Sequence, residues 1–284
     1  MSCARRDTWK KRPWPMPPTS QTARPRANVL GVGISAINLR DALGLSQRLL
    51  HQHGKGYVCV TGVHGVMEAQ RDESLRAILN RSFLCTPDGM PTVWVGHLQG
   101  HRGMRRVYGP DYMLAMCRLA ARRGYRHFFY GGTPGVAQRL KQRLEQLVPG
   151  INIVGTYTPP FRPLAPSEED ELASIVHQAR PDIFWVGLST PKQERFMAHY
   201  LDRLDTSLMV GVGAAFDIHA GLLADAPPWM KNCGLQWLFR LLKEPRRLWR
   251  RYLANNPRFL WSIALQLVHL RRFPLENESK RSDF

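Results

Sequence analysis

The stretch from Pro181 to Phe196, P-D-I-F-W-V-G-L-S-T-P-K-Q-E-R-F, constrains the fold more than any other part of the chain. Ile183-Phe184-Trp185-Val186 is apolar without alternation, the pattern of a strand buried on both faces, as in a parallel sheet. Gly187 to Thr190 breaks the run, and Pro191 suits the first turn of a helix, where its missing N–H costs nothing. A strand, a tight turn and a helix start together place free backbone N–H groups at the carboxyl edge of a sheet, where open α/β folds bind anions. Lys192 adds a cation there and Gln193 an amide. An ordinary strand-to-helix connection accounts for the same residues, so the stretch speaks to fold before function.

The same alternation runs along the chain. Residues 28–34, 57–60, 81–85, 127–130, 151–155 and 208–212 read as strands, and 39–51, 66–80, 112–123, 135–147 and 168–179 as helices. Residues 90–110 are Gly-rich and read as less regular. The expectation is a doubly wound, Rossmann-like, mostly parallel α/β core over residues 28–228. Residues 1–27, rich in Pro and basic residues, are expected to be a disordered arm. Residues 229–284 form a helical, basic appendage in which Pro245 and Pro257 are expected to separate short helices. Within it, 259–270 is apolar and followed by Arg271 and Arg272, which suits a helix lying at a membrane surface; a helix packed on its own core is the alternative.

A net charge of +18 calls for an anionic partner: nucleic acid, membrane surface or phosphorylated substrate. Five cysteines without a C-x-x-C pair fit buried thiols in a reducing compartment better than zinc. The basic N-terminus lacks the apolar stretch of a secretory signal. No run reaches the roughly 18 apolar residues of a membrane span. The chain is therefore expected in the cytoplasm, peripheral on the inner face of the cell membrane.

Polar residues gather just past predicted strand ends. Asp88 follows one strand and Thr61 ends another, so a doubly wound sheet would bring both to one edge. Asp88 there is a candidate general base, and a turn aspartate capping a backbone N–H is the plainer account. Asp217 and His219 would point the same way if extended, but no third metal ligand accompanies them, which favours a structural or hydroxyl-binding Asp217. No D-x-D motif occurs, and neither a metal nor a cofactor is expected. The arginine pairs Arg246-Arg247 and Arg250-Arg251 could grip phosphates or simply line a solvated face.

These segments, in this order, resemble the WecG/TagA/CpsF family of bacterial glycosyltransferases, which includes N-acetylmannosaminyl transferases of teichoic-acid and enterobacterial-antigen synthesis. The resemblance rests on P-D-I-F-W-V-G-L-S-T-P-K-Q-E, on G-V-G-A-A-F-D-I-H-A-G from Gly211 to Gly221, and on G-L-Q-W-L-F-R-L-L-K-E-P-R-R-L-W-R-R-Y-L from Gly234. It implies inverting, metal-independent transfer from a UDP-sugar to a polyprenyl-diphosphate-linked saccharide at the cytosolic membrane face. It implies Asp88 as base and Thr61 beside it, with Arg106 and Gln193 in the sugar-nucleotide pocket. Lys192 and Asp217 are further candidates for substrate binding. Arg240, Arg247 and Arg250 match the arginines that close over the diphosphate. The chain departs from the family pattern at three places: Thr61-Gly62-Val63 for T-P-N, Asp225-Ala226-Pro227 for R-A-P, and Leu235-Gln236-Trp237 for L-E-W.

The expected partners are therefore a UDP-sugar, a polyprenyl-diphosphate-linked saccharide and an anionic membrane surface. A homo-oligomer is left open. Two rival readings are weaker. A nucleic-acid-binding protein would show a recognisable basic module, and a nicotinamide-dependent oxidoreductase would show the dinucleotide fingerprint.

Overall fold

The computed structural model describes residues 25–275. The expected arm thus falls almost wholly outside the described residues, but its last part does not. Strand β1 (Arg26–Val29) pairs antiparallel with β2 (Val32–Ser35). The single strand expected over 28–34 is therefore a hairpin. Leu30 (φ 54°) and Gly31 (φ 79°) both take positive φ, the turn that matches the twist of two paired strands.

Helix α1 (Leu39–His51) starts with a capping box between Asn38 and Asp41, and β3 (Gly56–Thr61) follows. The helix expected over 66–80 is two: α2 (Val63–Ala69) and α3 (Glu73–Arg81). Asp72 separates them, because its side chain accepts the Ser74 and Leu75 N–H groups and so starts a new helix. Strand β4 (Leu84–Pro87) begins later than expected, since Arg81 still belongs to α3. The Gly-rich stretch contains a helix, α4 (Met90–Leu98). The chain continues through α5 (Gly109–Ala121), β5 (Arg126–Gly131), α6 (Val136–Leu147), β6 (Asn152–Tyr157), α7 (Pro166–Ala179), β7 (Ile183–Gly187), α8 (Lys192–Tyr200) and β8 (Leu208–Gly211). Pro191 sits just before α8 rather than in its first turn.

Six strands form one parallel sheet in the order β4-β3-β8-β7-β5-β6, with helices on both faces. Ile183 to Val186 of β7 are fully buried, as the unbroken apolar run predicts. Phe184 and Val186 join the core on one face, Ile183 and Trp185 the core on the other. The Trp185 indole donates to His127 Nδ1 at 2.9 Å, and burial pushes the His127 pKa down to about 4, so a neutral imidazole accepts that bond. Neighbours β3, β8 and β7 are not consecutive in sequence, an arrangement that opens a crevice at the carboxyl ends of the strands.

After β8 come α9 (Ala215–His219), α10 (Pro228–Asn232), α11 (Gln236–Lys243) and α12 (Pro245–Leu267). Pro257 does not divide the last segment: it lies inside α12 on an exposed position, where water can take the carbonyl it leaves unpaired. Leu248, Asn255, Phe259 and Ile263 recur at helical spacing and are buried. Phe259 and Ile263 belong to the core cluster that includes Leu30. Gln266 closes the contact, its Oε1 accepting the Leu30 N–H at 2.9 Å and its Nε2 donating to Asn28 O at 2.7 Å. The opposite face of α12 leaves Trp249, Leu253, Leu260 and Trp261 exposed. One face of this segment is thus a helix packed on its own core, and the other is left exposed. Among the described residues, no helix is long and apolar enough to cross a membrane.

Candidate active site

Three backbone-anchored contacts build the floor of the crevice. Thr61 and Pro87 are paired at the ends of β3 and β4, and the next amide, Asp88 N, donates to Thr61 O at 3.1 Å. Val107 N donates to Pro87 O at 2.8 Å, which pins the loop before α5 to the end of β4. That loop then delivers the Gly109 N–H to Asp88 Oδ1 at 3.2 Å. Gly62 flanks the other oxygen: a Cβ at position 62 would lie 3.6 Å from Asp88 Oδ2. Asp88 is half-buried. Burial pushes its carboxyl above the ordinary range, while the Gly109 N–H, Arg106 and Arg240 pull it back without cancelling the effect. That is the environment a general base needs, a carboxylate more basic than one in water.

Beside it, Arg106 is held by Gln236, Nη1 to Oε1 at 2.8 Å, and lies 4.7 Å above the Tyr108 ring. The Tyr108 hydroxyl donates to Asp225 Oδ1 at 2.9 Å, and Lys231 Nζ donates to Asp225 Oδ2 at 2.8 Å. The three departures from the family pattern, at Gly62, Asp225 and Gln236, therefore all lie around Asp88 and Arg106.

Behind this floor, Cys85 Sγ donates to Thr61 Oγ1 at 3.4 Å. Gln193 and Glu194 are buried, and Glu194 Oε1 accepts from both Gln193 Nε2 (3.1 Å) and Thr190 Oγ1 (2.9 Å). Gln193 Oε1 and Glu194 Oε2 have no partner among the described residues. Burial raises the Glu194 pKa, and its hydrogen bonds oppose that only in part. Gly211 gives this pair its space, since a Cβ there would meet Gln193 Cδ at 3.1 Å. Lys192 is exposed on the first turn of α8.

The wall opposite is cationic. Arg240 lies 3.7 Å and Arg247 2.6 Å from Glu244 Oε2. Asp217 faces both arginines, and burial still raises its pKa. Asp217 and His219 lie on α9, not on extended chain, so they diverge. His219 Nε2 is taken by Pro110 O at 2.9 Å. Among the described residues, no three His, Cys, Asp or Glu are grouped to hold a metal.

Arg250 does not join this wall; it is exposed and lies 5.2 Å over the Trp249 ring. Arg251 takes the inward place. It shares the charge field of Arg240, Arg247 and His64, and burial lowers its pKa. The Nε atoms of Arg240 and Arg251 are both buried without a partner among the described residues. The sequence offered Arg250 and Arg251 as one pair and did not separate them; Arg251 lies four residues before Asn255, on the edge of the stripe that α12 buries.

A parallel sheet edge carrying a raised carboxyl near guanidinium groups has the chemistry to accept a proton beside an anionic group. The family model described as Glycosyl transferase WecG/TagA/CpsF family matches residues 27–273, and the chain belongs to that family. Two relatives carry the name N-acetylglucosaminyldiphosphoundecaprenol N-acetyl-beta-D-mannosaminyltransferase. The one from Bacillus spizizenii is 29% identical over 219 residues, covering 77% of this chain and 82% of the relative. The one from Bacillus subtilis is 28% identical over 205 residues, covering 72% of this chain and 77% of the relative. Membership sets aside the nucleic-acid-binding and oxidoreductase readings.

Proposed function

We propose that this chain is an inverting glycosyltransferase that moves a sugar from a UDP-sugar to a polyprenyl-diphosphate-linked saccharide, in the synthesis of a surface or exported polysaccharide. The observation that carries the proposal is the placing of Asp88 beside Gly62, its Oδ2 without a partner among the described residues, in the field of Arg106 and of Arg240, which in turn adjoins Arg247 and Arg251. The names of the two relatives support an acceptor built on undecaprenyl diphosphate.

In this mechanism Asp88 takes the proton of the acceptor hydroxyl. The oxygen attacks the anomeric carbon from the face opposite the leaving group, and the bond from that carbon to the diphosphate oxygen breaks. UDP departs with the electron pair, and the arginines stabilise its growing charge. A single displacement inverts the anomeric configuration. Gln193 and Arg106 hold the sugar nucleotide, and Thr61 supports the floor under it. The enzyme works as a peripheral protein on the inner face of the membrane, with α12 toward the anionic surface.

The test is a screen of nucleotide sugars against a short-chain polyprenyl diphosphate carrying N-acetylglucosamine. The expected result is release of UDP and a product of inverted anomeric configuration by NMR. A product of retained configuration, or turnover with non-uridine donors alone, would contradict the proposal.

A further inference from the structure

A second cationic cavity, of about 260 Å³, lies between α2 and the far end of α12. Met67 and Phe273 supply its apolar surface; Arg71, Arg258 and Arg271 supply charge, and Trp261 lines it too. Met67 is buried and Phe273 packs on the core, so this surface is fixed. Arg71 is offset by Glu68 at 2.9 Å. Arg258 and Arg271 pair with no carboxylate among the described residues, and Arg271 rests 5.0 Å from the Phe273 ring. None of these residues belongs to the crevice around Asp88.

The cavity adjoins an exposed apolar stripe. Leu253, Leu260 and Leu267 recur every seven residues on α12 and are 66%, 67% and 38% exposed. Trp261 and Val268, one residue further on, are 68% and 61% exposed, and Leu270 is 78% exposed. Such a stripe ends a helix face in hydrocarbon, and Trp261 stands between it and the arginines as an interfacial tryptophan does. Guanidinium groups around a small apolar cavity match a phosphate that carries an acyl chain, since Arg grips phosphate bidentately.

We infer that this cavity binds the phosphate headgroup of an anionic membrane phospholipid and so sets how the protein sits on the bilayer. The inference rests on the reading of α12 as the membrane-facing helix and is independent of the sugar transferred. The lipid source is favoured over free phosphate by the continuity of the cavity with the apolar stripe.

The test uses the full chain and dihexanoylphosphatidylglycerol below its micelle concentration, titrated by calorimetry, with dihexanoylphosphatidylcholine and inorganic phosphate as the other probes. Saturable binding of the phosphatidylglycerol alone is expected. Arg258→Gln with Arg271→Gln is expected to weaken it at least about tenfold. Arg40→Gln with Arg48→Gln, which removes equal charge from exposed positions on α1, is expected to change it less than about twofold. UDP binding and turnover of a water-soluble acceptor stay unchanged in both variants. Equal losses in the two variants, or wild-type binding by the first, would overturn the site. Inorganic phosphate binding as tightly as the lipid would overturn the lipid assignment. Sedimentation with phosphatidylglycerol vesicles separates the two levels. Wild-type protein that ignores the vesicles defeats the membrane reading and the site together, whereas vesicle binding that survives Arg258→Gln with Arg271→Gln defeats the site alone.

Discussion

Gly62 and Asp88 face each other across the ends of β3 and β4, close enough that a side chain at 62 would touch the carboxylate at 3.6 Å. The Gly109 N–H holds the other oxygen, so position 62 borders the carboxylate oxygen that has no partner among the described residues. Gly62 has φ −112°, a conformation alanine adopts without strain. Gly62→Ala therefore adds a methyl that displaces water from Oδ2 and disfavours the charged form further. A base acts only when deprotonated, so turnover falls as pH drops through the raised Asp88 pKa. The acid limb of kcat/KM against pH is expected to move to higher pH in Gly62→Ala. A limb that stays in place or moves down would show that Asp88 does not set it.

The inward arginine of α12 is Arg251, and the outward one is Arg250. Arg251→Gln is expected to lower kcat/KM about 10–100-fold, the range for losing a charge-assisted hydrogen bond. Arg250→Gln is expected to stay within about threefold on a water-soluble acceptor. Arg251→Gln also removes a half-buried like charge from beside Arg240 and Arg247, so the ligand-free protein is expected to melt no lower than wild type. A large loss in Arg250→Gln, with Arg251→Gln unaffected, would reverse the assignment.

Glu194 is a buried acid with no cation among the influences on its titration. Its folded pKa lies above the unfolded one, so ionisation costs stability as pH rises from the unfolded value through the folded one. Glu194→Gln cannot ionise and escapes that cost. The melting temperature of Glu194→Gln relative to wild type is therefore expected to rise between pH 5 and pH 8. If Glu194 were held as a stabilised carboxylate, the difference would fall over the same range.

Docking of α12 makes a prediction about stability. Phe259 is 3% exposed and Leu260 67% exposed, next to each other on the helix. Phe259→Ala is expected to cost about 3–5 kcal/mol by denaturant unfolding, and Leu260→Ala less than about 0.5 kcal/mol. Similar small effects for both would mean that α12 is not part of the folded core.

The parallel sheet was legible because unbroken apolar runs such as Ile183 to Val186 occur only where both faces of a strand are covered. The hairpin was not, because Leu30-Gly31 lacks the usual Asn-Gly or Asp-Gly turn signal; the Leu30 N–H and carbonyl are held by Gln266 and Gln70, far along the chain. Pro257 misled because local propensity yields to packing: Leu248 and Asn255 before it and Phe259 and Ile263 after it are buried on one face, which carries the helix through the proline. Asp88 and Thr61 could be placed on one edge from strand ends alone. The support of Asp88 by Gly109 could not, since it comes through a loop across 21 residues, and which of Arg250 and Arg251 turns inward depends on how α12 docks.

Asp88 is the base in the proposed mechanism. Asp88→Asn keeps the shape of the side chain and an oxygen to accept the Gly109 N–H, but cannot take a proton at the acceptor. The decisive measurement is single-turnover transfer by Asp88→Asn, with UDP affinity measured on the same preparation. The account predicts a rate lower by about 10²–10⁴-fold with UDP binding nearly unchanged. A rate within a few-fold of wild type would contradict it.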